Sequence, residues 1–346
     1  MVFSIQIDQS IYRKQELLNS NVIPFCSDWL SGNAAFIVRT SGSTGVPKEI
    51  AISREQMKAS VNQTQLALGL HKGDSALICL SLEHIAGKMM LVRTMELGLK
   101  ATLVDACANP FTNYQLKNSF DFIALVPLQI EAIIESDAFE YLNNSKAIII
   151  GGGAISSILE DKLQNLKAPV FHTYGMTETV SHVALRRLNG IHKSDVYQEL
   201  ADTIITQDDR GCLIINSKVT NGLNVITNDL VELCDGGFKW LGRADNIINS
   251  GGLKIIPEKL EKVFGQYLKQ EGLSRVYFIR GAKNDKLGEE LVLYIEGEKL
   301  EEQSILEFFR CHVSRFEVPK KIIFIPTFEY TESGKINLIN TVNSLK

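Results

Sequence analysis

Thr40-Ser41-Gly42-Ser43-Thr44-Gly45-Val46-Pro47-Lys48 follows the apolar run Ala34–Val38 and combines hydroxyls, pliable backbone and one cation. Glycines let backbone N–H groups approach an anion, hydroxyls add donors, and a lysine neutralises charge, which is what a polyphosphate requires. The common phosphate-loop pattern places four residues between its first glycine and a Gly-Lys-Ser/Thr ending. Here two residues separate Gly42 from Gly45, and Pro47 precedes Lys48, so that pattern fails. Lys48–Ile52 reads as a second short strand and not as a helix. The loop therefore joins two strands of a hairpin and covers a nucleotide flexibly. Standing alone, a solvated Ser/Gly turn would account for the same letters.

The chain around this loop has 346 residues, enough for two or more domains. Hydrophobic residues make up 45% and charged residues 22%, the balance of a globular protein. A net charge of −4 leaves no basic footprint, so no nucleic-acid partner is expected. No apolar run approaches the roughly 20 residues needed to span a bilayer, so no membrane insertion is expected. Met1–Gln9 lacks the basic start and apolar core of a signal peptide. Cys26, Cys79, Cys107, Cys212, Cys234 and Cys311 form no CxxC pair and read as reduced thiols, not zinc ligands or disulfides. A cytoplasmic protein is the expectation, with a homo-oligomer left open.

Ser53-Arg54-Glu55-Gln56 is a capping-box pattern that starts a helix to about Leu68, and Ile85–Leu97 repeats apolar residues at helical spacing. Ser75–Leu80, Ala101–Val104, Phe122–Val126, Ala147–Ile150 and Val170–Tyr174 read as buried strands between helical stretches, an α/β layer with a mostly parallel sheet. From Gly211 to Leu241, short strands alternate with Asn, Asp and Gly turns, which suggests a small β-barrel-like subdomain. Beyond Gly242-Arg243-Ala244-Asp245, helices at Pro257–Gln270 and Glu302–Arg310 alternate with strands, as in a small α+β domain.

Several clusters along this frame carry possible chemistry. Lys146–Ala154 reads KAIIIGGGA, a buried strand ending in three glycines that would let a flat ring lie on the backbone. Phe171–Thr179 reads FHTYGMTET, where Glu178 would hold Mg²⁺ and Thr177 would donate to a phosphate. Asn228-Asp229 falls between two short predicted strands, where a carboxylate would accept both hydroxyls of a ribose. Lys335 sits in a Ser-Gly-Lys loop near the C-terminus. Each has a bland counterpart: a glycine-rich strand end, a polar turn, an Asx turn, a solvated tail.

Together the motifs resemble the adenylate-forming superfamily of acyl-CoA synthetases, peptide-synthetase adenylation domains and luciferases. The resemblance rests on TSGSTGVPK (40–48), GGGAIS (151–156), YGMTET (174–179), TND with GRADNIINSGGLKIIPEKLE (227–261) and SGKINL (333–338), in the family's order. It implies a large N-terminal α/β domain with parallel sheets (1–243, AMP-binding and acyl-adenylating, shortened at its N-terminus) and a small mobile α+β C-terminal domain (244–346). It also implies ATP, Mg²⁺ and CoA as reactants or cofactor. By this resemblance Ser41, Gly42, Ser43, Thr44, Gly45 and Lys48 would hold the β- and γ-phosphates. Gly151, Gly152 and Gly153 would line the adenine site with Tyr174 beside it. Thr177 would meet the α-phosphate and Glu178 the magnesium ion. Asp229 would bind the ribose, with Arg243 adjacent. Lys335 would bridge the acyl carboxylate and the α-phosphate, Asp245 would be the hinge, and Ser250, Gly251 and Gly252 would enter the CoA tunnel.

The stretch 80–91, LSLEHIAGKMML, is similar to the entrance of the family's acyl pocket, but Ser81 and Glu83 replace the usual proline and aromatic residue. Short chains of this form resemble the o-succinylbenzoate–CoA ligases of menaquinone biosynthesis, whose acid carries a second carboxylate. His84, Lys88 and Arg93 are the candidates to pair with it, although Lys88 and Arg93 also read as solvated helix residues. A ligase for another aryl or medium-chain acid, an enzyme loading a carrier protein, and a non-catalytic nucleotide-binding homologue remain alternatives at this stage.

Overall fold

A computed structural model describes residues 5–7, 22–39, 48–330 and 336–344. Its first elements are Ile5–Ile7 (β1), Ile23–Leu30 (α1), Ala35–Arg39 (β2), Glu49–Ser53 (β3), Arg54–Leu68 (α2), Ser75–Ile78 (β4), Ile85–Leu97 (α3) and Lys100–Leu103 (β5). Strands β2 and β3 pair antiparallel, with Ile37 opposite Ala51, so the two strands flanking the Ser/Gly/Lys loop form the expected hairpin. The loop itself, including Ser41, Gly42, Ser43, Thr44 and Gly45, lies outside the described residues, as does Lys335. Helix α2 begins where the sequence places it. Ser53 Oγ accepts from Gln56 N at 3.2 Å, and Gln56 Oε1 accepts from Ser53 N at 2.9 Å, closing a capping box.

Pro110–Asn113 (α4), Phe122–Leu125 (β6), Pro127–Ile134 (α5), Phe139–Leu142 (α6), Ala147–Ile150 (β7), Ser157–Lys162 (α7) and Val170–Gly175 (β8) complete the α/β layer. Strands β6 and β7 are four-residue apolar runs buried on both faces, as a helix-covered parallel sheet demands. The parallel order is β1-β5-β4-β6-β7-β8. Strands β5 and β6 flank β4 on opposite sides, a reversal of strand order beyond whose carboxyl ends open α/β sheets commonly bind ligands. Helix α3 is buried almost all round, and at Gly87 it presses on the chain before it: an added Cβ would lie 2.3 Å from the Ser81 carbonyl oxygen.

The sheet then continues antiparallel through His182–Arg187 (β9), Tyr197–Glu199 (β10), Thr203–Gln207 (β11), Cys212–Ser217 (β12), Val225–Cys234 (β13) and Gly237–Arg243 (β14). One twelve-stranded sheet results, ending β8-β9-β10-β14-β13-β12-β11. The strands expected to curl into a barrel-like unit extend this sheet instead, and no closed barrel forms among the described residues. The physical reason is strand pairing: β10 bonds β9 on one side and β14 on the other, which carries the ladder straight through.

A second, five-stranded sheet contains Ile248–Ser250 (β15), Leu253–Ile255 (β16), Tyr277–Asn284 (β17), Gly288–Glu296 (β18) and Lys321–Ile325 (β19). Helices Pro257–Gln270 (α8) and Glu302–His312 (α9) pack through Phe264 and Phe309, and Leu338–Asn343 (α10) follows. Its core, with Leu260, Ile279, Leu293 and Ile305, is separate from that of the large sheet. Helix α8 rests on α7: Lys269 Nζ lies 2.7 Å from Asp161 Oδ2.

Because the contact at Gly87 leaves no room for a methyl group, Gly87→Ala should lower the unfolding free energy by about 1–3 kcal/mol, read as a shift of the urea midpoint at constant slope. An unchanged midpoint would show that α3 can move away from Ser81.

Candidate functional site

Three strands of the large sheet meet at one buried carboxylate. Strand β8 supplies Tyr174, β13 supplies Asp229, and β14 supplies Trp240 and Arg243. Tyr174 Oη donates to Asp229 Oδ2 at 2.6 Å, and Trp240 Nε1 donates to Asp229 Oδ1 at 3.2 Å. Arg243 stands opposite Asp229 in the β13–β14 register, and its Nη1 lies 3.6 Å from Oδ1. The other guanidinium nitrogen donates to Asp245 Oδ2 at 2.9 Å, and Asn228 Nδ2 reaches both Asp245 oxygens at 3.2 Å. Burial, then the Asp229 charge, pushes the Tyr174 hydroxyl pKa far up, so Tyr174 remains a donor.

The expected turn at Asn228-Asp229 is corrected here. Both residues lie inside the continuous strand β13. Pairing with β14 on one side and β12 on the other outweighs the local turn preference of Asn and Asp. A register shift between Leu230 and Val231 sits immediately beyond Asp229.

The glycines after β7 lie beside the same strand end. Gly151 N donates to Leu125 O at 3.0 Å, and a Cβ on Gly151 would lie 2.5 Å from Thr173 Oγ1. Gly152 has φ +80°, so both crowding and conformation favour glycine in this run. His172 braces it from behind, with Nε2 3.0 Å from Gly153 O and Nδ1 2.6 Å from Tyr197 Oη. A carbonyl can only accept, so the proton sits on Nε2 and Tyr197 donates to Nδ1. Burial, aided by Arg186, pushes the His172 pKa down to about 4 and keeps the ring neutral.

Thr177 and Glu178 occupy a 3₁₀ turn at the carboxyl end of β8, half-buried and exposed respectively. The chain leaves this turn through Val180 at φ 64° and ψ −54°, with Ser181 N donating to Thr179 O at 2.6 Å. That is a γ-turn of the rare, strained hand, on a buried β-branched residue. Side-chain bonds hold it: Thr179 Oγ1 accepts from Met176 N at 2.9 Å and donates to Ser181 O at 2.8 Å.

Of the residues expected near the acid, His84 is exposed at the start of α3 and Lys88 is half-buried one turn later. Arg93 is 1% exposed, and so is not a solvated helix residue. It donates through Nη2 to Ser181 Oγ at 2.9 Å and through Nε to Thr64 Oγ1 at 3.3 Å. No carboxylate pairs with it among the described residues, and burial pushes its pKa down to about 10, still cationic at neutral pH. Neighbouring His182 is held neutral by burial and then by Arg93.

Tyr174, Asp229, Arg243 and Asp245 are thus joined by direct bonds, with Thr177 and Glu178 in the turn that follows the strand of Tyr174. Lys48 is exposed just before β3. Ser250 ends β15, and Gly251 and Gly252 form its hairpin tip at φ 58° and 83°, on the other sheet. No hydrogen bond or ion pair links them to the Asp229 cluster among the described residues. Sequence reasoning missed Trp240, His172 and Ser181. The sequence ends the strand of Trp240 at Leu241 and puts Arg243 in the turn beyond it, whereas the structure carries both on β14.

A model of the AMP-binding enzyme family matches residues 8–203, more than half of the chain. The chain belongs to this family. It is similar to an acyl-CoA synthetase (AMP-forming)/AMP-acid ligase II-like protein from Dyadobacter fermentans, 40% identical, with 93% of each chain covered and a TM-score of 0.63. It is 26% identical to a 2-succinylbenzoate–CoA ligase of Listeria monocytogenes over 96% of this chain and 73% of that one. The fold is also that of the o-succinylbenzoate CoA synthetase of Bacillus subtilis with its acyl-adenylate intermediate: 21% identity, 90% of this chain, 68% of that chain, TM-score 0.73.

In an AMP-binding enzyme a divalent cation would accompany the nucleotide, and the donors fit magnesium. No cluster of three or more His, Cys, Asp or Glu exists among the described residues. Glu178 is an exposed carboxylate, and one or two carboxylates alongside phosphates and water are the ligation that magnesium commonly takes. No helix among the described residues is long and apolar enough to cross a membrane.

A neutral His172 has a measurable signature. Its folded pKa lies below the unfolded value of about 6.5, so its stabilising effect is complete above 6.5 and is lost as pH falls toward 4. His172→Gln keeps a donor for Gly153 and removes the titration. Between pH 6 and 4.5, the wild type should lose up to about 1.4 kcal/mol per pH unit more than the variant in urea unfolding. Glu261, pushed up to about 7 by burial and by Glu258, acts in the opposite sense in both proteins and cancels. Equal slopes would contradict a neutral His172.

Proposed function

We propose that the chain is an ATP-dependent carboxylic acid–CoA ligase working through an acyl-adenylate, and that its acid is aromatic with a second, remote carboxylate, with o-succinylbenzoate the leading candidate and menaquinone biosynthesis the setting. The observation that carries the substrate reading is Arg93, a buried guanidinium with no carboxylate partner among the described residues. A buried cation without a counter-ion is costly, and an anionic ligand group would relieve it. The names of relatives supply the class of acid.

The nucleotide reading assigns the ribose hydroxyls to Asp229, whose oxygens retain lone pairs after accepting from Tyr174 and Trp240. Arg243 stands beside it. Gly151, Gly152 and Gly153 would receive the adenine face beside Tyr174. The loop of Ser41, Gly42, Ser43, Thr44 and Gly45, with Lys48, would hold the β- and γ-phosphates, and Thr177 the α-phosphate. Magnesium held by Glu178 would reduce the charge of the triphosphate. Lys335 would bring the acid carboxylate and the α-phosphate together.

In the first half-reaction a carboxylate oxygen bonds to the α-phosphorus and the bond to pyrophosphate breaks. Two anions repel, so cations and fixed geometry do much of the work; alignment alone contributes up to about 7–11 kcal/mol. In the second, the CoA thiolate attacks the acyl carbon and AMP leaves. Running both steps in one place supports a split near residue 243, with residues 244–346 turning about Asp245 and bringing Ser250, Gly251 and Gly252 to the thiol channel.

A pyrophosphate-release screen over aromatic and aliphatic acids tests the reading. Release should be strongest with o-succinylbenzoate, and ATP binding without release for any acid would sink the enzyme assignment. Arg93→Met should raise KM for the diacid about tenfold or more while changing KM for a monoacid analogue little, since a charge-assisted bond is worth about 1.5–3 kcal/mol. Equal effects on both acids would remove Arg93 from substrate recognition. Lys335→Ala should suppress adenylate formation yet spare thioester formation from preformed acyl-adenylate; equal loss of both steps would refute its bridging role.

A further inference from the structure

Glu258, in the first turn of α8, belongs to the smaller sheet's unit but reaches the end of β14. Its Oε1 accepts from Arg243 N at 3.2 Å and from Asn246 Nδ2 at 2.7 Å. Its Oε2 is buried with no partner among the described residues. That oxygen is wedged against position 242, where a Cβ would lie 2.3 Å from it and 2.6 Å from Ile256 Cγ2, so only glycine leaves the carboxylate its place. The bond to Arg243 N fixes the backbone from which the Arg243 guanidinium spans Asp229 and Asp245.

We infer that Glu258 is a positioning residue for the nucleotide: a carboxylate on one structural unit sets the arginine that aligns the Asp229 carboxylate on the other. Its two bonds leave the side chain of Arg243 free to face Asp229, and the glycine at 242 leaves the space that its second oxygen fills. The tie is local. Loss of Glu258 releases the chain at residues 243–246 without touching Arg93, Thr177 or Glu178. The effect therefore falls on nucleotide affinity and not on recognition of the acid. The inference rests on the assignment of Asp229 to the nucleotide.

Calorimetric titration with MgATP, without acid, tests it on the full chain. Glu258→Ala should weaken binding about tenfold and raise KM for ATP in proportion, with kcat and KM for the acid changed less than about threefold. Glu258→Gln keeps an acceptor at the Oε1 position and should recover most of that loss, which a purely structural role would not require. If Glu258→Ala fails to fold, Asn246→Ala, an exposed change that removes one of the two donors, should weaken MgATP about threefold. Wild-type MgATP affinity in whichever of these variants folds overturns the inference. Asp229→Asn separates the two levels. If it leaves MgATP binding intact, the nucleotide assignment and this inference both fall. If it abolishes binding while Glu258→Ala does not, only the role of Glu258 falls.

Discussion

Burying the Asp229 carboxylate costs free energy unless its oxygens are satisfied, and the large sheet is arranged to satisfy them. Tyr174 arrives from the last parallel strand, and Trp240 and Arg243 from the antiparallel extension. The carboxylate therefore ties the parallel part of the twelve-stranded sheet to its antiparallel extension. Removing any one donor would leave a charged acceptor partly unmet in a site 8% exposed. The same bond fixes the end of β8 from which the chain enters the turn of Thr177 and Glu178.

Two arginines serve this surface in opposite ways. Arg243 is committed to Asp229 and Asp245 and acts as a fixed brace. Arg93 is sunk among Thr64, Met90 and Ser181, neutral groups that orient its guanidinium without discharging it. Ser181 follows the strained Val180 turn directly, so the buried cation and the Thr177–Glu178 turn share one anchor. Strain of this kind persists only where surrounding bonds over-determine it.

Much of the fold was legible because it is local. The capping box at Ser53, the apolar runs of β6 and β7 and the helical spacing of α3 each announce their own element. The hairpin around the Ser/Gly/Lys loop was legible for the same reason. Strands β9, β10 and β11 were not, since YQE and TIITQ are short and gain their conformation from partners far away in sequence. Asn228-Asp229 misled for a related reason: its letters favour a turn, while the pairing with Arg243 imposes a strand. Of the motif residues, Tyr174, Asp229, Arg243 and Asp245 stand together in the structure. Their supports were not legible: Trp240 and His172 matter through where the sheet places them, and the burial of Arg93 depends on how α3 seats against α2 and β9.

The most direct measurement is a crystal structure of the chain with ATP and magnesium. The account predicts ribose hydroxyls on Asp229, adenine against Gly151–Gly153 beside Tyr174, and the metal at Glu178. A nucleotide bound away from Asp229, with the Tyr174–Asp229–Arg243 cluster untouched, would contradict it.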